Sequence, residues 1–188
     1  VDRIRDGRSF VTRRVVAIQH GEAIFNLSAS FHVPEPGFEH QMAMPAVPPP
    51  HEVPSTAELI KDLPPGEVDE WLTRPRPIEL RYVGGPMRLD GGGRDGRDGR
   101  DGREGSDGRP REPRQAIWMK AAGTLPDDPL LHACVVAYAS DMSLLDSILL
   151  VHDVRWDDPE FIGASLDHAM WFHRPFRADE WWLYDQWS

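Results

Sequence analysis

No pattern in the chain constrains its fold more than the alternation that runs from Ala23 to Val33. Ala23, Phe25, Leu27, Ala29, Phe31 and Val33 are apolar, and Glu22, Asn26, Ser28, Ser30 and His32 stand between them, with Ile24 the one residue out of phase. A period of two over this length predicts a β-strand with one face buried. The run before it, Phe10 to Gln19, is rich in Val and Ile, and His20-Gly21 separates the two. Gly at that place supports a tight turn, so residues 8–33 are expected to form a β-hairpin.

The next stretch is built differently. Pro34, Pro36, Pro45, Pro48, Pro49, Pro50 and Pro54 remove ladder donors and fix φ, which excludes a central strand and most helix. A short helix is expected from Thr56 to Leu63, with Ser55 as N-cap and Glu58 placed to close a capping box. Residues 77–83 and Arg114 to Gly123 are expected as strands. Between them lies a Gly-Arg-Asp repeat with no apolar residue to bury, expected as a disordered insert over residues 90–113.

Asp128 and Pro129 are a good N-cap and first helical residue. From Leu130 to Leu150 apolar residues occupy nearly every side, which predicts a single long helix surrounded by protein. Cys134, among Ala133, Val135 and Val136, is expected to pack in its core. Ile162 to His173 and Glu180 to Ser188 are expected as further strands. Taken from the residues alone, the order of elements gives an α+β fold with an antiparallel sheet.

Bulk properties narrow the function. The net charge is -10, which argues against nucleic acid as a partner. No apolar run reaches the roughly 18 residues of a membrane span. The single cysteine, Cys134, excludes an intrachain disulfide and fits a reducing compartment, the cytoplasm.

Particular residues go further. Arg5-Asp6-Gly7-Arg8-Ser9-Phe10, Thr12-Arg13-Arg14-Val15, Gly37-Phe38-Glu39-His40-Gln41, Tyr138-Ala139-Ser140-Asp141 and above all Ser165-Leu166-Asp167-His168-Ala169-Met170-Trp171-Phe172-His173-Arg174-Pro175-Phe176 resemble the acyl-CoA thioesterase II family. The resemblance covers nearly all of the chain outside the Gly-Arg-Asp tract. It implies a hotdog fold, a curved antiparallel sheet around a long central helix, present here as part of a double hotdog cut off at both ends. Residues 1–54 would then be the remainder of a first unit and the start of a linker, 55–76 the linker, and 77–188 an incomplete second unit. It also implies hydrolysis of acyl-CoA, with a homo-oligomer as the intact state and no cofactor beyond water. Strand edges exposed by the cuts would promote self-association.

In such a family an Asp, a Ser or Thr, and a Gln hold the attacking water. Asp167 matches the Asp. Ser188 is the nearest match to the hydroxyl residue, within a residue or two, and the Gln is expected beyond the chain end; Gln115 and Gln186 are not taken as substitutes. On periodicity alone Asp167 reads as a surface carboxylate, and the resemblance reverses that preference. His168 and His173 read as structural, since a strand would turn His168 away from Asp167 and send the two imidazoles to opposite faces. Asp141 and Ser140 read as polar groups on a largely buried helix that need partners; Asp141 is expected to bond to backbone or to a neighbouring side chain near the site, in a structural role. Arg13, Arg14, Arg174 and Arg177 are candidates for phosphate contact, and surface ion pairs explain them as well. A non-catalytic acyl-CoA-binding module is the alternative to the hydrolase. A hotdog hydratase is weakened by the lack of an Asp-His pair.

Overall fold

A computed structural model describes residues 1–64, 68, 70–86, 112–152, 154, 156 and 158–188. The chain divides into two compact units, Val1–Met44 and Pro45–Ser188.

The first unit is a three-stranded antiparallel meander of β1 (Asp2–Asp6), β2 (Phe10–Gln19) and β3 (Glu22–His32), in that order. The expected hairpin is β2–β3. Its turn holds His20 at φ 51° and Gly21 at φ 86°. Positive φ at both central residues gives the backbone twist that matches a right-twisted ribbon, and Gly pays no steric penalty there. Ala17 faces Phe25 and Ile18 faces Ala23, so Ile24 is the extra residue of a β-bulge. That bulge is why Ile24 breaks the alternation. Beyond it, Val15 sits opposite Leu27 and Val11 opposite Phe31, which gathers apolar side chains on one face. The expected burial of that face is not met within the unit: Phe25 is 56% exposed, Leu27 42% and Phe31 47%. A three-stranded sheet has no second layer of its own. β1 was not expected, because its sequence, Asp-Arg-Ile-Arg-Asp, is charged at four of its five positions and lacks an apolar stretch.

The second unit is α+β. Its sheet has the order β4 (Ile78–Tyr82), β5 (Arg114–Ala121), β6 (Trp182–Trp187), all antiparallel. Leu80 lies opposite Met119, Tyr82 opposite Ile117, and Ile117 opposite Tyr184. These pairs build one apolar face, and Ala139, Val135 and Met142 pack on it. Ile117 and Met119, on the central strand, are fully buried. The other face carries Trp118, Arg81 and ion pairs between Glu79 and Lys120 and between Arg114 and Asp185. The proline-rich segment lies against it. Trp118 Nε1 donates to the carbonyl of Pro48 at 2.9 Å, and Arg81 donates to those of Pro50 and Val53. Prolines keep their carbonyls as acceptors while lacking donors, which suits a strap bound by side chains.

Ser55 caps α1 (Thr56–Ile60) with the expected capping box to Glu58. A short helix, α2 (Glu70–Thr73), precedes β4. Asp128 caps α3 (Pro129–Ser140), its side chain accepting from the Leu130 amide. The expected single helix over Leu130–Leu150 is corrected to two: α3 ends at Ser140, and α4 spans Asp146–His152. Met142 and Asp146 donate to carbonyls three residues back, those of Ala139 and Ser143. Ser140, Asp141 and Ser143 are residues whose side chains compete for backbone groups, and they favour such a break. Nor is α3 wrapped all round. Leu130 and Tyr138 are more than half exposed, and Cys134 is exposed rather than in the core, because only the sheet side of α3 is covered.

The expected strand over Ile162–His173 is likewise corrected. The segment has no regular structure, and Ile162 and Leu166 are above 90% exposed. Among the described residues no strand pairs with it, and a strand without a ladder leaves its backbone groups unmatched. The expected strand at the end of the chain is β6. The Gly-Arg-Asp insert lies, up to residue 111, outside the described residues. No helix of the described residues is long and apolar enough to cross a membrane.

Candidate active site

The candidate site lies along one seam, where the end of α3, the turn over residues 141–145 and the start of α4 run beside β6. On a strand, alternate residues share a face. Tyr184, Gln186 and Ser188 therefore point the same way, on the side of the sheet that meets the helices. Tyr184 Oη donates to the Ser140 carbonyl at 3.0 Å. Gln186 Nε2 donates to the Ser143 carbonyl at 3.0 Å. Ser188 Oγ contacts Ser147 Oγ as a hydroxyl pair, and the Ser188 amide donates to the Pro113 carbonyl at 3.1 Å. Ser140, Ser143 and Ser147, spaced three and four apart across the end of α3 and the start of α4, thus meet Tyr184, Gln186 and Ser188, spaced two apart along and just past β6.

This seam is polar and buried. Gln115, Ser143, Asp146, Ser147 and Gln186 are each less than 7% exposed. Trp156 Nε1 donates to Asp146 at 2.8 Å, which gives that carboxylate a partner. Gln115 lies opposite Gln186 across β5 and β6, and its carboxamide oxygen is buried with no hydrogen-bond partner among the described residues. Burial pushes the Tyr184 phenol above its ordinary range, and the hydroxyl stays a neutral donor.

Asp167 lies at the other end of the seam, on the irregular segment, with its side chain exposed. Its neighbours are anchored to the end of α3. Ser165 Oγ donates to Asp141 Oδ1 at 3.3 Å. His168 Nδ1 is 3.7 Å from the same oxygen, and its Nε2 is 3.2 Å from Ser140 Oγ. Ser140 Oγ also lies 3.4 Å from Met170 Sδ. The expected partners of Ser140 and Asp141 are therefore found in the Asp167 segment. No hydrogen bond among the described residues joins Asp167 to Ser188. The argument that a strand would turn Asp167 and His168 to opposite faces does not apply, because the segment is not a strand.

Arg177 is engaged elsewhere. Its guanidinium donates to Asp179 through two nitrogens at 3.0 Å, to Asp127 at 3.0 Å and to the Leu125 carbonyl at 3.2 Å. The Arg177 guanidinium, and next the Leu125 amide, hold the Asp179 carboxyl down at about 2. Of the candidate phosphate contacts, Arg177 is thus committed to a structural clamp, and Arg13 pairs with Asp6. Beside the apolar face, an apolar recess of about 210 Å³ lies between Pro77, Ile78, Ala121, Leu125, Val135 and Tyr138. That is below the roughly 300–1,000 Å³ of small-molecule pockets, so it takes at most a short apolar segment.

Sequence reasoning missed Ser143, Asp146 and Ser147. Their only signal is the spacing of Ser140, Ser143 and Ser147, and it has meaning only once β6 is known to lie alongside.

The architecture defines a class: an α+β protein that shares its fold with a solved acyl-CoA thioesterase II. The sequence profile described as acyl-CoA thioesterase matches residues 103–188. The human protein named acyl-coenzyme A thioesterase 8 is 37% identical over 98% of this chain and 56% of its own length. The acyl-CoA thioesterase 2 of Haemophilus influenzae is 31% identical over 98% of the chain and 59% of its own length. Among solved structures, the acyl-CoA thioesterase II TesB2 from Mycobacterium marinum is 40% identical with a TM-score of 0.66, covering 98% of this chain and 58% of its own. The chain belongs to the acyl-CoA thioesterase family. It spans little more than half the length of the curated relatives it matches.

Proposed function

We propose that this chain carries part of the machinery for hydrolysing acyl-CoA thioesters, with Asp167 as the base that activates water. The observation that carries the reading is the alignment of the chain over 98% of its length to proteins named acyl-CoA thioesterases, and the choice of Asp167 rests on the resemblance of residues 165–176 to that family. Water's oxygen attacks the thioester carbonyl carbon. Asp167 takes the proton, the carbon–sulfur bond breaks, and the proton passes to the departing coenzyme A thiolate, leaving a free acid. By the resemblance a hydroxyl at or just beyond Ser188 completes the site, although in this structure Ser188 sits against Ser147, at the opposite end of the seam from the Asp167 segment. Ser147, against Ser188, would fix that hydroxyl's rotamer. The reading is of hydrolysis by direct water attack, and the family resemblance implies no covalent enzyme intermediate.

The finer fold reading, part of a double hotdog, goes with this function. A homo-oligomer in the intact protein is likewise a proposal that rests on the resemblance. The single Cys134 suits the cytoplasm. A second reading, a non-catalytic acyl-CoA-binding module, is favoured by one observation: Asp167 is exposed and has no hydrogen bond to Ser188. The deciding assay follows free coenzyme A thiol released from a panel of acyl-CoAs. It uses this chain, the longest translation product that contains it, and that product with Asp167→Ala. A rate that falls about a hundredfold or more with Asp167→Ala supports the hydrolase. A folded long product that binds acyl-CoA without turnover supports the binding module.

A further inference from the structure

We infer that Asp141, together with Ser140, is a positioning residue that holds the Asp167 segment in place for catalysis, an inference that rests on the reading of Asp167 above. The segment has no strand ladder, so its side-chain anchors carry more of its placement than they would in a sheet. Those anchors flank Asp167 on both sides. Ser165, two residues before it, donates to Asp141 Oδ1 at 3.3 Å, and His168, one residue after it, brings Nδ1 to 3.7 Å from the same oxygen. The other imidazole nitrogen reaches Ser140 Oγ at 3.2 Å, so the ring bridges two consecutive residues at the end of α3. Met170 adds a sulfur contact to the same hydroxyl.

The placement of Asp141 fits a role outside packing. It is the C-cap of α3, where the helix presents partial negative charge and a carboxylate is electrostatically disfavoured. Its side chain is 58% exposed, so it fills no core. What offsets the unfavourable position is the pair of groups that Ser165 and His168 direct at it. The Ser140 carbonyl in turn accepts from Tyr184 of β6. One helix end therefore ties the Asp167 segment to the strand that leads to Ser188.

The test uses Asp141→Ala and Asp141→Asn, with Asp167→Ala as reference. Thiol release is measured in the longest translation product containing the sequence, and backbone amide exchange over residues 165–170 in the same protein. Asp141→Ala is expected to lower kcat by roughly tenfold or more, with KM changed less than about twofold, because misplacing a reacting group costs turnover rather than binding. Exchange over 165–170 should quicken while the thermal midpoint holds. Asn keeps the oxygen that accepts from Ser165, so Asp141→Asn should restore part of both effects. Unchanged exchange in Asp141→Ala would overturn the anchoring. Faster exchange with an unchanged kcat would overturn the catalytic role of that anchoring. Full activity in Asp167→Ala would overturn the underlying reading of Asp167, and the exchange data would still decide whether Asp141 holds the segment.

Discussion

At the scale of the residue, the clearest electrostatic arrangement is the Arg177–Asp179 clamp. Asp179 has 8% of its side chain exposed and takes hydrogen bonds from Arg177 and from the Leu125 amide. Its folded pKa, about 2, lies below the ordinary 3.8, so the clamp's contribution to stability is fully present above the ordinary value. It fades as pH falls through that value towards 2. Denaturant unfolding across this window should show wild type losing its advantage over Asp179→Asn as the pH drops. Equal pH slopes for the two proteins would remove Asp179 from the account. Met119, fully buried on the central strand, gives the packing counterpart. Met119→Ala should cost about 2–5 kcal/mol in unfolding free energy, measured by chemical denaturation.

Elements show where local chemistry decides structure and where it does not. The caps were legible from the residues: Ser55 with Glu58, and Asp128 with Pro129, each stand at the helix start their side chains predict. Asp128→Ala should cost about 1 kcal/mol, read from the unfolding midpoint, since the Leu130 amide loses its acceptor. The β2–β3 hairpin and strands β4, β5 and β6 were legible for the same reason, because their pattern is local. The break between α3 and α4 was not. The apolar run from Leu130 to Leu150 hides Ser140, Asp141 and Ser143, whose hydrogen bonds depend on β6 and on residues 165–170, far along the chain. The strand expected at Ile162–His173 fails through a property no local pattern reports, the presence of a neighbour to pair with. Asp167 is proposed by resemblance alone, while the anchoring of its neighbours to Asp141 needed coordinates.

For the whole molecule, the first unit's sheet is the feature with the largest consequence in solution. Its apolar face, including Phe25, Leu27 and Phe31, lies open within the unit. Soluble proteins rarely leave contiguous apolar patches beyond a few hundred Å² uncovered. The chain is expected to self-associate with rising concentration, and Leu27→Lys should shift sedimentation towards the monomer. A monomer at all concentrations in the unsubstituted chain would count against an open face of that size. The reach of the Asp141 network, by contrast, stays within the second unit, so Leu27→Lys should leave amide exchange at residues 165–170 unchanged.

The polar seam works as a pair of rulers with different graduations. Seven residues of straight α-helix, from Ser140 to Ser147, advance about 10.5 Å. Four residues of strand, from Tyr184 to Ser188, advance about 13 Å. An unbroken helix parallel to the strand would therefore advance about 2.5 Å less than the strand does over the same marks. The interruption at residues 141–145 falls between those marks, so the irregularity that ends α3 is also the place where the two scales can be brought into step.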